Sequence, residues 1–248
     1  INASAEARLK SVIVAMERER WMNRERGERH ILVNLTDFTA RIFDHGVETF
    51  STRSVIGAKN SDRQSPEFSD VMEFMVVNPS WYVPRSIVTK EYLPALQADP
   101  NAVSHIEITD SRGRQINRAE TDFSQFTERS FPFAMRQPPS RSNALGLVKF
   151  MFPNPYNIYL HDTPAKNLFG REVRAYSHGC IRLSRPADLA YKLLGEKKGM
   201  SEGEIDGIWA EGQTTKVVLP QTGRLRWYVA SVALGAVVVL GAVLLNLN

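Results

Sequence analysis

The sequence predicts a mainly β fold, a sandwich or meander, with a few short helices, an inserted lid subdomain and a C-terminal apolar helix. Three observations carry that prediction. Short runs rich in β-branched residues, ILVNL (31–35), TARIF (39–43) and VMEFMVV (71–77), recur after a proline-rich block as LGLVKFMF (145–152) and TTKVVLP (214–220). The block itself, 79–144, is too long to be a plain loop in a compact domain. The stretch from Trp227 to Leu247 is apolar and uncharged over about the length that spans a bilayer.

In chain order, residues 1–28 read as a helical lead-in. Leu9, Val12, Ile13 and Met16 form one apolar stripe among Glu, Arg and Lys. From His30 the period changes to that of strands, and Asp44-His45-Gly46 offers a tight turn into VETFSTRSVIG (47–57). In the inserted block only EYLPALQ and VSHIEITD hint at regular structure. Strands resume at 145–152 and 156–162, and SHGCIRL (177–183) follows a polar, glycine-containing loop. Pro186 opens a helix for which Gly195 offers a stop, and Ser201 with Glu204 fits a capping box on a further short helix. The main domain is expected over 29–220 with 79–144 inserted, and 221–248 as a transmembrane helix or a non-native tail. Arg224 and Arg226 precede that tail, and Trp227 and Tyr228 suit an interface, so 227–247 is a candidate membrane anchor.

Composition narrows the function classes. An apolar share of 43% allows a full core, so the chain is globular. The net charge of +4 comes from scattered basic residues and not from a tract, which argues against nucleic acid as a partner. One cysteine excludes an internal disulfide and a zinc ribbon, and leaves a buried hydrophobe or a reactive thiol. The chain opens on Ile1 without a signal-peptide pattern and is expected to be a fragment of a longer one.

The informative stretch is His161-Asp162-Thr163, then Ser177-His178-Gly179-Cys180-Ile181-Arg182. Cysteine chemistry needs a thiolate, a base to make it, and donors for the oxyanion that develops on the attacked carbonyl. Adjacent strands could bring His161 to Cys180, and Gly179 permits a tight path that frees the amides of Gly179 and Cys180 for a substrate oxygen. Lys166, Arg171, Arg174, Arg182 and Arg185 crowd the segment; near the thiol they lower its pKa, near a substrate they attract carboxylates.

This arrangement, a His, about fifteen residues, then Ser-His-Gly-Cys, resembles the active-site motif of the L,D-transpeptidase catalytic domain family. The likeness extends through ILVNLTDFTARIF, VMEFMVVNPSWYVP, LGLVKFMFPNPYNIYLHDTP and RPADLAYKLL to the larger Gram-negative members, which carry a substrate-capping insert. Family members often have Asn where this chain has Arg182. The resemblance implies Cys180 as nucleophile and His161 as base, with His178 and Gly179 completing the catalytic group through the oxyanion hole. Ser177, Arg182, Tyr159 and Asp162 are expected to contact substrate or shape its pocket. It further implies peptidoglycan tetrapeptide stems as donor and acceptor, no cofactor and no metal, a periplasmic location and carbapenems as inhibitors.

Rival classes are weaker on these residues. His161, His178 and Cys180 could ligate zinc, but no fourth ligand or general-base Glu accompanies them. In papain-like and NlpC/P60 peptidases the Cys precedes the His, the reverse of this order. A non-catalytic wall-binding module would need neither residue, and an L,D-carboxypeptidase would use water as the acceptor.

Overall fold

The computed structural model describes residues 4–22, 24–59, 62–219 and 226–230. Helix α1 (Ala5–Trp21) comes first, its N-terminus capped by the Ser4 hydroxyl, which accepts from the Ala7 amide at 3.2 Å. Its apolar stripe finds no partner among the described residues: Leu9 is 60% exposed and Ile13 57%. Helical periodicity identifies the helix but not what covers it.

The strands that follow are β1 (Arg29–Asn34), β2 (Thr39–Asp44), β3 (Val47–Gly57), β4 (Phe68–Val71) and β5 (Phe74–Val77). The turn between β2 and β3 falls where Asp44-His45-Gly46 predicts it. His45 and Gly46 both take positive φ, 49° and 81°, the hand that suits a two-residue hairpin.

The insert has structure of its own: β6 (Trp81–Tyr82), α2 (Arg85–Ile87), a π-helical turn at Val88–Tyr92, α3 (Leu93–Ala98), β7 (Glu107–Thr109) and β8 (Ala134–Gln137). The strands pair in the order β6-β8-β7 as a separate three-stranded sheet. That sheet closes over a second core, with Leu96, Ile106, Ile108, Phe123, Phe131 and Met135 at its centre. Phe126, Phe131 and Phe133 meet edge to face, with centroids 5.4–5.8 Å apart.

The chain then returns to the large sheet through β9 (Val148–Met151), β10 (Leu160–His161), β11 (Ala175–Ser177) and β12 (Ile181–Leu183). Helices α4 (Pro186–Lys198) and α5 (Glu202–Ala210) follow, then β13 (Thr215–Val218) and β14 (Arg226–Ala230). The large sheet runs β13-β5-β9-β10-β12-β3-β2-β1-β14-β4, with β11 attached to β3. Strand alternation sends Phe150, Leu160, Ile181 and Leu183 to one face, where Leu189, Ala190, Leu193 and Leu194 of α4 seal them from water. Each such fully buried side chain contributes about 1.5–3 kcal/mol. The opposite face of the same strands is polar, and there the site is built.

Two expectations are corrected at the C-terminal side. Helix α4 passes through Gly195 and stops at Gly199, whose φ of 65° supplies the left-handed cap; a helix interior tolerates Gly195 at modest cost. The Ser201–Glu204 capping box forms on α5. The second correction concerns the apolar run. Residues 226–230 are strand β14, parallel to β1 and antiparallel to β4, and not the start of a transmembrane helix. Trp227, Tyr228 and Val229 suit a strand, and β1 and β4 offer edges that need partners. The remainder of the predicted anchor, 231–247, lies outside the described residues. Among the described residues no helix is long and apolar enough to cross a membrane.

Candidate active site

Strand register assembles the site. In β10, His161 stands opposite Lys149 of β9 on one side and Arg182 of β12 on the other. Leu160, one residue earlier, pairs with Phe150 and Ile181, and all three face the core. Lys149, His161 and Arg182 therefore form a row across three strands on the opposite face. Tyr159 and Cys180 extend that face by two residues each: the Ile181 amide donates to the Tyr159 carbonyl at 2.9 Å, which sets Cys180 level with Tyr159.

Strands β10 and β12 are parallel, so the chain must cross over between them, and that crossover delivers the cysteine. Arg174 pins it. Its guanidinium is buried and donates to the carbonyls of Ser54, Arg171, Asp37 and Phe38. Of the other cations read from the sequence, Lys166 is paired with Asp162, Arg171 lies over Tyr176, and Arg185 pairs with Asp188. Arg182 alone of the five belongs to the row that includes His161. Its Nε is buried and has no hydrogen-bond partner.

The turn carrying the nucleophile is braced from several sides. Gly179 adopts φ 108°, and a Cβ there would lie 2.8 Å from Ile158 Cδ1, so only glycine fits. The Ser65 hydroxyl donates to the Gly179 carbonyl at 2.6 Å. The Ser177 hydroxyl donates to the Cys180 carbonyl and accepts the Gly179 amide at 3.2 Å. The Gly179 amide is thus committed to Ser177, contrary to the expectation that it points at substrate. His178 turns to the insert, where its Nε2 donates to Glu91 at 2.7 Å. Cys180 is partly exposed, its Sγ 3.8 Å from the Asn157 carbonyl. Asn154 shapes that turn: its Nδ2 donates to the carbonyls of Phe152 and Ile158, and its Oδ1 accepts the amides of Tyr156 and Ile158.

His161 is buried, and its Nδ1 donates to the Asp162 carbonyl. Nε2 is then the nitrogen with a free lone pair. The Asp162 carboxylate is turned elsewhere, accepting the amides of Leu147 at 2.9 Å and Thr163 at 2.7 Å as well as Lys166. Burial pushes the His161 pKa down to about 3, and the Arg182 and Lys149 charges push in the same direction. Burial raises the Cys180 thiol, while the Tyr159 backbone amide, Lys149 and Arg182 draw it down. Tyr159, whose ring lies under the Lys149 ammonium, has its phenol pushed up to about 12 by burial and by the neighbouring cysteine charge. A neutral imidazole, a thiol and two cations on one face can deprotonate the sulfur and hold a carboxylate beside it.

Lys149, Glu91, Ser65 and Asn154 were not singled out by the sequence. Lys149 alternates with the core residues Val148 and Phe150 in a strand pattern, a signal that shows which face it occupies but not what it meets there.

The model of the L,D-transpeptidase catalytic domain family matches residues 28–235. A relative in Haemophilus influenzae, named "Putative L,D-transpeptidase", is 33% identical over 187 residues, covering 75% of this chain and 37% of that protein. The chain therefore spans little more than a third of the length of that curated relative. Among solved structures, an L,D-transpeptidase from Mycobacterium smegmatis aligns at 12% identity and TM-score 0.33, covering 82% of this chain and 59% of that one. An L,D-transpeptidase in complex with imipenem aligns at 11% identity and TM-score 0.37 over the same shares. A mainly β chain with a thiol and a histidine on one sheet face is the class the fold and site define. The chain belongs to the L,D-transpeptidase catalytic domain family.

Proposed function

We propose that this chain is the catalytic domain of an L,D-transpeptidase that forms 3→3 cross-links between peptidoglycan stem peptides. The observation that carries the reading is the row of Lys149, His161 and Arg182 beside Cys180, with the His161 Nδ1 tied to the Asp162 carbonyl.

In the first step the Cys180 S–H proton passes to His161 Nε2. The sulfur bonds the carbonyl carbon of the third stem residue, the L-centre of diaminopimelate. The C–N bond to the terminal D-Ala breaks, and the departing amine takes the proton back from His161. In the second step a side-chain amine of an acceptor stem attacks the thioester, His161 takes its proton, and the thiolate leaves. The exchange conserves the energy of the original amide, so no cofactor is called for. The Cys180 amide serves as an oxyanion donor, and the Arg182 guanidinium, on the face that carries the thiol, binds a stem carboxylate. Tyr159 lines the pocket.

The insert at 79–144 acts as a cap on the 29–220 domain. Glu91 reaches from it to His178, two residues from the nucleophile, and a closed cap would favour aminolysis over hydrolysis. The substrate places the working enzyme in the periplasm.

The test is intact-protein mass spectrometry with a carbapenem, whose strained lactam amide acylates an activated thiol. A single adduct that is absent from Cys180→Ala, followed by D-Ala release from tetrapeptide muropeptides, is the expected result. A folded native chain that forms no adduct would sink the enzyme reading and favour a non-catalytic wall-binding module.

A further inference from the structure

Lys149 is a cation in an unusual position. It lies in a central strand, directly across from His161, and is partly buried on the face that carries the thiol. Among the described residues no carboxylate pairs with it. Its Nζ sits 3.8 Å from the centroid of the Tyr159 ring, and Tyr159 is level with Cys180 on the adjoining strand. A lysine withdrawn from water without a carboxylate needs another source of negative charge, or it loses its proton.

The groups around Cys180 narrow that source. Strand β10 presents Tyr159 and His161, β12 presents Arg182, and β9 presents Lys149 itself. His178 adjoins on the turn, paired with Glu91, which also holds Arg63. The Asn157 side contributes a carbonyl. Glu91 is occupied by Arg63 and by the His178 Nε2 hydrogen, which leaves the sulfur of Cys180 as the anion available to Lys149.

We propose that Lys149 is the electrostatic partner of the Cys180 thiolate, so that the resting nucleophile is primed by a fixed cation and not by an imidazolium. When the thiol ionises the S–H bond breaks, the electron pair stays on sulfur, and His161 Nε2 takes the proton, as in the first step proposed above. Lys149 keeps its three protons throughout. The ring of Tyr159 fixes where the ammonium stands. Burial lowers the lysine's own pKa, and the cysteine charge offsets part of that fall. A neutral His161 is consistent with it, since it adds no third charge to a row that already holds Lys149 and Arg182. The inference rests on the proposed thiol chemistry, but its test needs no cell-wall substrate.

The experiment is the pH profile of Cys180 alkylation by iodoacetamide in the native chain, Lys149→Met, Lys149→Gln and Lys149→Arg, with folding checked by thermal melting. Removing the charge is expected to raise the midpoint by about one pH unit and slow alkylation at neutral pH several-fold. Lys149→Arg, which retains charge but cannot serve as a base, is expected to keep most of the native midpoint. An unchanged midpoint in either folded neutral variant overturns the inference, as does an Arg variant that behaves like the neutral ones. A midpoint that shifts as expected in a chain inert towards muropeptides and carbapenems leaves this inference standing and removes only the proposed reaction.

Discussion

Glu91, on the π-helical turn of the insert, accepts the Nε2 hydrogen of His178 at 2.7 Å. The same carboxylate oxygen accepts from Arg63 at 2.8 Å, so one acidic group joins the insert to the turn that carries Cys180. An ionised carboxylate only accepts, which places a hydrogen on the His178 Nε2.

Breaking that link is expected to loosen the turn without unfolding the chain. Each partner is about a third exposed, so the coupling is worth only about 0.5–1 kcal/mol after solvent screening. Glu91→Ala and His178→Ala should each slow acylation by a carbapenem roughly two- to fivefold. The double variant should be no slower than the worse single one. Purely multiplicative losses in that cycle would show that the two residues act independently.

Asp162 yields a larger effect, by a different route. Its carboxylate holds the amides of Leu147 and Thr163 while its backbone carbonyl holds His161. Asp162→Ala would strand those amides and let the segment whose carbonyl holds His161 shift. A loss of about 2–4 kcal/mol in urea unfolding is expected, together with slower acylation. Unchanged stability would mean that water replaces the carboxylate without cost.

These residues also show where sequence reasoning reaches. His161 and the run Ser177 to Cys180 are legible because the motif is local, and the Ser201–Glu204 box and the Asp44-His45-Gly46 turn are legible for the same reason. Lys149 and Glu91 enter the site only through strand register and through packing of the insert, quantities with no local signature. Five cations near the motif look alike in sequence, yet Arg174 is consumed by backbone carbonyls while Arg182 faces the thiol row. The first residues of the C-terminal run read as the start of a membrane helix because the run's apolar length fits one, while the open edges of β1 and β4 recruit 226–230 into the sheet.

Gly146 tests the same carboxylate from the other side. Its φ is 60°, and a Cβ there would fall 2.3 Å from the Asp162 Cγ. Gly46, with φ 81° and nothing within 4 Å, is the control for backbone strain alone. Gly46→Ala should cost about 1 kcal/mol. Gly146→Ala should cost at least twice that and also slow acylation, because Asp162 must shift. Equal costs in the two variants would rule out the steric account.

The neutral His161 makes a prediction about acid. Its folded pKa, about 3, lies below the ordinary 6.5. Between those values the unfolded chain binds a proton that the folded chain does not, so this contribution to stability is complete above pH 6.5 and is lost as pH falls towards 3. The slope is about 1.4 kcal/mol per pH unit for one proton. His30, also lowered by burial, acts in the same direction, whereas the Asp44 contribution fades only below its ordinary 3.8. Unfolding free energy measured in urea should therefore decline from pH 6.5 to pH 5, above the range in which the carboxylates titrate. In His161→Asn, whose amide can still donate to the Asp162 carbonyl, the decline should be shallower by about one proton. Parallel slopes for the two proteins would show that His161 titrates normally.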